Sequence, residues 1–326
     1  MNPAADAPVL CVGILVADLF VPPLARLPVA GELIATEDFL VQPGGCAANS
    51  AIALRRLGIA CAVVGRVGDD LFGDLVERDL RALGIDTSGV AQAPGYGTSK
   101  TVILPVVDED RRFIHTFGAN AALTAADIPQ ASLEAAEVIY VGGYLVLPAL
   151  HQSELAERFR VARERGTRIV LDVVVPSGHV DVSLGAVREL LPLADYFLPN
   201  EDEARALTGE AEPRRQAERL LEAGARAVVV KRGERGIFVR SGDEAFELPA
   251  PPVEALEPSG AGDAFAAGLI LGILEGWELE RSVRFASVMG GSACTSLGCY
   301  AGVFSREEAD RFLAEHPVWA REALRS

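Results

Sequence analysis

The sequence predicts an α/β fold: a doubly wound, mostly parallel β-sheet with helices on both faces, and a smaller β layer set apart from it. Three observations carry this. Short apolar runs rich in β-branched residues alternate with helical stretches along most of the 326 residues. Strand, helix and strand in turn imply right-handed crossovers and therefore a parallel sheet. Those runs are continuously apolar, as strands buried on both faces are. Two alternating stretches, 98–107 and 111–117, flank the polar Asp108-Glu109-Asp110, a β-hairpin signal outside the main rhythm. The chain is read as one domain, 1–326, since α/β folds reach this size as a single core with elaborations.

Composition narrows the function. Apolar residues make up 50% of the chain, enough for a large core, and the net charge of −16 argues against a nucleic-acid or anionic-membrane partner. No apolar run reaches the roughly 18–20 residues of a membrane span. Met1-Asn2-Pro3-Ala4-Ala5-Asp6 lacks a basic region, so no secretory signal is expected. Five cysteines, odd in number and mostly in apolar surroundings, read as reduced cytoplasmic thiols. Without a C-x-x-C, and with four scattered histidines, a structural zinc is not expected. There is no Gly-Lys-[Ser/Thr], no G-x-G-x-x-G after the first strand and no G-x-S-x-G. Walker A, dinucleotide-binding and hydrolase-elbow chemistries therefore lack their fingerprints.

Taken in order, residues 9–16 form a buried parallel strand ending near Asp18, which places that carboxylate at the sheet's carboxyl edge, where open α/β sheets bind ligands. Residues 19–43 are proline-rich, with a weaker alternation around 34–41, and connect through strands outside the main sheet. Pro43-Gly44-Gly45-Cys46-Ala47-Ala48-Asn49 opens a helix to about 57. The glycine pair is an ordinary pre-helical turn or a place for close ligand approach. Asn49 sits among alanines and needs partners, which a polyhydroxylated ligand supplies. Strand 59–65 leads into a turn with Asp69 and Asp70 as structural caps, then helix to about 83. Strands at 138–141, 168–175, 195–199 and 227–231 alternate with helices at 151–165 and 212–223, and short strands follow at 236–239 and 245–248. Asn200-Glu201-Asp202-Glu203 suits the first turn of a helix. Lys231-Arg232-Gly233-Glu234-Arg235-Gly236 places two glycines and three bases in six residues, which suggests phosphate handling. A hairpin turn with solvated charge is the plainer alternative.

Glu257-Pro258-Ser259-Gly260-Ala261-Gly262-Asp263-Ala264-Phe265 precedes an apolar helix. A glycine-rich turn opening a helix leaves backbone N–H groups without helical partners and makes an anion site. Asp263 in the first turn either complements the helix dipole or acts as a general base beside a developing anion.

Gly260-Ala261-Gly262-Asp263 with the nearby Phe resembles the C-terminal signature of the ribokinase-like (PfkB-type) carbohydrate kinase family. The resemblance implies a lid built from about 19–43 and 98–118, and transfer of the ATP γ-phosphoryl group to a hydroxymethyl oxygen of a sugar or related polyol. It casts Asp263 as the base, with Gly260, Ala261 and Gly262 as the anion hole. Asp18, Gly44, Gly45 and Asn49 would hold the acceptor. Lys231, Gly233, Gly236 and Asn200 would meet the nucleotide, with Arg235 beside them, and Asn200 and Glu203 would orient Mg²⁺ largely through water. Pairing of lids into a homodimer is also implied. Cys46 and Val16 depart from the ribokinase pattern and weaken the case for ribose. Glu257-Pro258-Ser259 departs where the family often has Asp-Thr-Thr. Glu257, the family's position for a monovalent-cation ligand, is expected to point away toward an arginine, with weak dependence on potassium. A nucleoside kinase of the same family, with Phe113 or Phe117 stacked on the base, is one alternative. A non-catalytic sugar sensor is the other, and the intact Asp263 argues against it.

Overall fold

The computed structural model describes residues 7–107, 109, 112–175, 182–242, 244–317, 319 and 324–325. Among them a ten-stranded sheet forms the centre. Its parallel part runs β5 (Asp86–Gln92), β4 (Cys61–Val67), β1 (Val9–Gly13), β8 (Val138–Gly142), β9 (Arg168–Leu171), β10 (Tyr196–Phe197) and β11 (Ala227–Lys231). Antiparallel β12 (Ile237–Ser241), β13 (Glu244–Leu248) and β14 (Leu324–Arg325) extend one edge. β1 pairs with both β4 and β8, so the winding reverses there and opens a crevice at the carboxyl ends.

Alternate residues of each strand feed two cores. Val9 and Cys11 face α1 (Cys46–Arg56), α2 (Leu71–Ala82), α7 (Ala261–Leu274), α8 (Leu279–Ala293) and α9 (Arg306–Glu315). Leu10 and Val12 face α3 (Gln130–Ala135), α4 (Gln152–Glu164), α5 (Glu201–Thr208) and α6 (Pro213–Glu222). α7 is buried from Ala264 to Gly272. A Cβ on Gly268 would fall 2.7 Å from Ala286 Cα, so glycine is what allows α7 and α8 to touch.

The smaller sheet has the order β3 (Leu40–Gly44), β2 (Val16–Phe20), β6 (Lys100–Leu104) and β7 (Arg112–Thr116). β2 and β6 are parallel and the other two pairs antiparallel. The 98–117 hairpin is present. Of its turn, Asp108, Asp110 and Arg111 lie outside the described residues, as do Met1–Asp6 and Asp243.

Two expectations need correction. Residues 9–16 are not one strand: β1 ends at Gly13, and Val16 already belongs to the small sheet, which starts three residues before the expected lid. Packing forces the break. A Cβ at Gly13 would lie 2.1 Å from Gly142 O. At Leu15 the backbone N–H donates to Asn120 Oδ1 at 3.0 Å, and Asn120 Nδ2 donates to Leu15 O at 2.9 Å. This buried amide splints the hinge where the chain passes between sheets. Asp18 therefore stands on β2 of the small sheet, not just beyond a strand of the large one. The alternation at 34–41 yields strand only from Leu40; the residues before it are exposed and gain nothing from alternating.

Candidate active site

The carboxyl ends of β1, β8, β9 and β11 face the N-terminus of α7. Gly260 caps α7 with φ 78°, and a Cβ there would meet Cys299 O at 2.2 Å, so only glycine fits. Ala261 N–H, expected to face an anion, is used inside the turn and donates to Pro258 O at 3.2 Å. The N–H groups of Gly260, Gly262 and Asp263 have no protein acceptor among the described residues, as expected at a helix start. Backbone donors without helical partners, at the positive end of a helix dipole, favour a negative charge placed beside them.

Asp263 stands in the first turn. Its Oδ2 accepts from Asn49 Nδ2 at 2.9 Å, and the Cys46 thiol hydrogen-bonds the same carboxylate. Asn49 thus braces Asp263, while its own Oδ1 is buried without a hydrogen-bond partner. Burial pushes the Asp263 carboxyl up to about 6, with the Asn49 amide opposing and Asp172 adding to the rise. A carboxylate of this kind is ionised at neutral pH yet basic enough to take a proton.

Asp18 lies in a notch that glycine leaves open: a Cβ on Gly44 would fall 1.8 Å from Asp18 Oδ2. Gly45, with φ 89°, is held against Ile14 O. Asp18 accepts from Cys299 Sγ at 3.4 Å and from the Thr101 hydroxyl. Burial pushes Asp18 to about 6, and the nearby charges of Asp263 and Glu257 add to the rise. The structure therefore brings Asp18, Gly44, Gly45, Asn49, Gly260, Gly262 and Asp263 into one cleft.

Asn200 and Glu203 form a capping box at the start of α5: Asn200 N donates to Glu203 Oε2 at 2.7 Å, and Glu203 N to Asn200 Oδ1 at 2.8 Å. Burial pushes Glu203 to about 7, with Lys231 opposing. Lys231 Nζ donates to Asp172 Oδ2 at 2.8 Å, inside the protein. Burial alone would lower the Lys231 ammonium, but Asp172 and Glu203 outweigh it and hold it above its ordinary value. Three carboxylates, Asp172, Glu203 and Asp263, thus surround one ammonium. Among the described residues no three His, Cys, Asp or Glu side chains are grouped to hold a metal ion, and Asn200 and Glu203 are engaged with each other, so the fit of this pair to Mg²⁺ is through water and substrate phosphate.

The other bases of the 231–236 segment are engaged: Arg232 Nη2 with Glu247 at 2.7 Å, and Arg235 with Glu201. Gly233, with φ 58°, and Gly236, where a Cβ would meet Leu248 O at 2.0 Å, shape the turn between β11 and β12. Glu257 does not point away. It is buried, and its Oε1 accepts from Ser259 N at 3.0 Å and Ser259 Oγ at 2.8 Å, because its extra methylene lets it fold back onto its own turn.

Sequence reasoning missed Asp172, Thr101 and Cys299 as members of this cleft. Asp172 had a usable signal, an acid immediately after an apolar run, but Val173, Val174 and Val175 extend the run and conceal where the strand ends.

The model of the pfkB family carbohydrate kinases matches residues 6–305. A ribokinase of Bacillus subtilis is 28% identical over 89% of this chain and 94% of its own. A 2-dehydro-3-deoxygluconokinase of the same organism is 29% identical over 83% and 86%. Among solved structures, a putative ribokinase II of E. coli in complex with ATP and Mg²⁺ superposes with a TM-score of 0.82 at 25% identity, over 95% of this chain and 100% of that one. Ribokinase of Arabidopsis thaliana complexed with ribose and ATP gives 0.78 at 25%, over 94% and 99%. The chain belongs to the pfkB family of carbohydrate kinases and is a sugar kinase of ribokinase fold.

Proposed function

We propose that the chain transfers the γ-phosphoryl group of ATP to a hydroxymethyl oxygen of a sugar or related polyol. The observation that carries this is Asp263: a buried carboxylate braced by Asn49 and Cys46, beside donors of the 260–263 turn that have no protein acceptor. Asp18 and Asn49 orient the acceptor hydroxyls. Asp263 takes the hydroxyl proton as the oxygen bonds to phosphorus, and the bond between phosphorus and the β,γ-bridging oxygen breaks to release ADP. The N–H groups of Gly260 and Gly262 face the negative charge on the transferred oxygens. Mg²⁺, when bound near Asn200 and Glu203, neutralises phosphate charge. Gly233 and Gly236, in the turn after β11, are the backbone contacts proposed for the nucleotide.

The test is ADP release over a panel of sugars, polyols and nucleosides, followed by Asp263→Asn on the best acceptor. The expected loss in kcat is about 10²–10⁴-fold with ATP binding retained. Near-wild-type turnover of the Asn variant would end the assignment.

A nucleoside acceptor is the second reading. Across the small sheet, Asp18 pairs with Thr101 and Thr101 with His115, so their side chains share a face; Phe113 follows on the same face. His115 Nδ1 lies 3.0 Å from Thr101 Oγ1 and its ring stands edge-on to Phe117 at 5.0 Å. A base could stack there; higher kcat/KM for a nucleoside than for its free sugar would select this reading.

Three further expectations belong to this reading. Exposed Leu40, Val41, Phe113 and Ile114 on the small sheet support a lid-to-lid homodimer, checked by light scattering at micromolar concentration. The five cysteines carry no disulfide, in keeping with a reducing, cytoplasmic setting. Weak potassium dependence stays the expectation, now on the ground that Ser259 supplies two donors to Glu257.

A further inference from the structure

We infer that Lys231 is a catalytic residue that meets the transferred phosphoryl group, and that Asp172 is the positioning residue that holds it there; the inference rests on the kinase reading above. Lys231 ends β11 and Asp172 follows β9, two strands away, or about 9–10 Å at the usual strand spacing. The lysine spans that gap over the end of β10. Its backbone is pinned there by Lys231 N donating to Pro199 O at 3.0 Å.

The ammonium ends up against the anion site. Lys231 Nζ lies 3.3 Å from the point a Cβ on Gly262 would occupy, so the missing side chain of Gly262 is what admits it to the turn. Asp172 Oδ2 takes one of its N–H groups at 2.8 Å. An ammonium has three, and the remaining two are available to phosphoryl oxygens. Asp172 is itself fixed, with Val173 N donating to its Oδ1 at 2.9 Å.

Position separates this pair from an ordinary structural ion pair. Buried pairs contribute little net stability compared with apolar replacements. This one stands between Glu203 and Asp263, the carboxylates that an incoming phosphate would otherwise confront. Across the cleft, Cys46 offers a thiol, not a cation. The other bases of the segment, Arg232 and Arg235, are held by Glu247 and Glu201. Lys100, the second lysine, lies beside Asp70. Lys231 stays protonated throughout the transfer; the acceptor proton goes to Asp263 and the leaving electrons to ADP.

The test uses the full chain carrying Lys231→Met, Asp172→Asn or both. Calorimetry first compares β,γ-imido-ATP with ADP in Mg²⁺ buffer, which needs no acceptor. Wild type is expected to bind the triphosphate analogue more tightly than ADP, and Lys231→Met to erase that preference. In turnover, Lys231→Met is expected to lower kcat by about 10²–10³-fold, as loss of one transition-state donor does, with acceptor KM nearly unchanged. Asp172→Asn should lower kcat by less, and the double variant should be no slower than Lys231→Met alone. The double variant removes both members of the hydrogen-bonded pair together and so leaves neither Asp172 nor Lys231 as a lone buried charge; circular dichroism on all three variants checks that each is folded. An unchanged triphosphate preference, additive losses in kcat, or a loss confined to KM would overturn the inference. Failure of wild type to phosphorylate any acceptor would instead remove the kinase reading, and the binding comparison would still decide the role of Lys231.

Discussion

The two ends of the cleft are built by different means. At the 260–263 turn the chain offers mostly backbone, on a helix buried from Ala264 to Gly272 and backed by the large sheet. At the small sheet it offers side chains, and their burial falls strand by strand. Gln42, Asp18, Thr101 and His115 lie opposite one another on four neighbouring strands. Gln42 and Asp18 are buried, Thr101 half-buried and His115 exposed, on a β7 that is exposed along its whole length. Backbone donors on a rigid helix cannot be retuned by substitution, whereas side chains on a graded, partly open layer can. In the proposed reading the first end fixes the reaction and the second selects the acceptor.

The sharpest way to break this contrast is Gly260→Ala. With φ 78° and Cys299 O 2.2 Å from the added Cβ, the turn must move, and the loss of an anion donor should lower kcat by about 10²–10³-fold. An alanine variant that is folded by circular dichroism and fully active would show that the turn geometry is dispensable.

A smaller effect is expected at Asn49. Its amide favours the charged form of Asp263, so Asn49→Ala should raise that carboxyl above about 6 and move the acid limb of the kcat profile to higher pH. Loss of the hydrogen bond should also lower kcat about tenfold, the equivalent of about 1.4 kcal/mol. An acid limb that stays in place would detach Asn49 from the base.

Stability provides a third, opposite-signed effect. Asp18 and Asp263 both titrate near 6 when folded, above their ordinary 3.8. The folded state then binds more protons than the unfolded one between those values, so these groups make the fold less stable as pH rises through that window, and the penalty is complete above it. Asp18→Asn should therefore raise Tm at pH 8, and the gain should shrink as pH falls toward 4. A lower Tm at pH 8 would show that Cys299 and Thr101 outweigh the burial of Asp18.

The smallest effect is potassium. With Glu257 already accepting from Ser259, adding potassium in tetramethylammonium buffer should raise kcat by less than about tenfold. A larger rise would make Glu257 a cation ligand.

Much of this layout was legible in the sequence. Apolar runs separated by helical stretches yield the sheet, and Gly260, Gly262 and Asp263 announce a helix start whose first backbone donors lack helical partners. What stayed hidden depends on contacts far along the chain. The break after Gly13 is invisible in an apolar run because it is made by Gly142 and by Asn120, 105 residues from Leu15. Cys299 reaches Asp18 across 281 residues. The plainer reading of 200–203 as a helix cap was geometrically right, and Lys231 points inward, not along its glycine turn, because Asp172 draws it there.

The most direct test of the contrast measures Asp263→Asn and Asp18→Asn side by side, under saturating ATP, over a full range of acceptor concentration. The expected result is a fall in kcat for Asp263→Asn with acceptor KM little changed, and a rise in acceptor KM for Asp18→Asn with most of kcat retained. The reverse pattern, or the same loss in kcat from both, would contradict the division of the cleft into a reacting end and a selecting end.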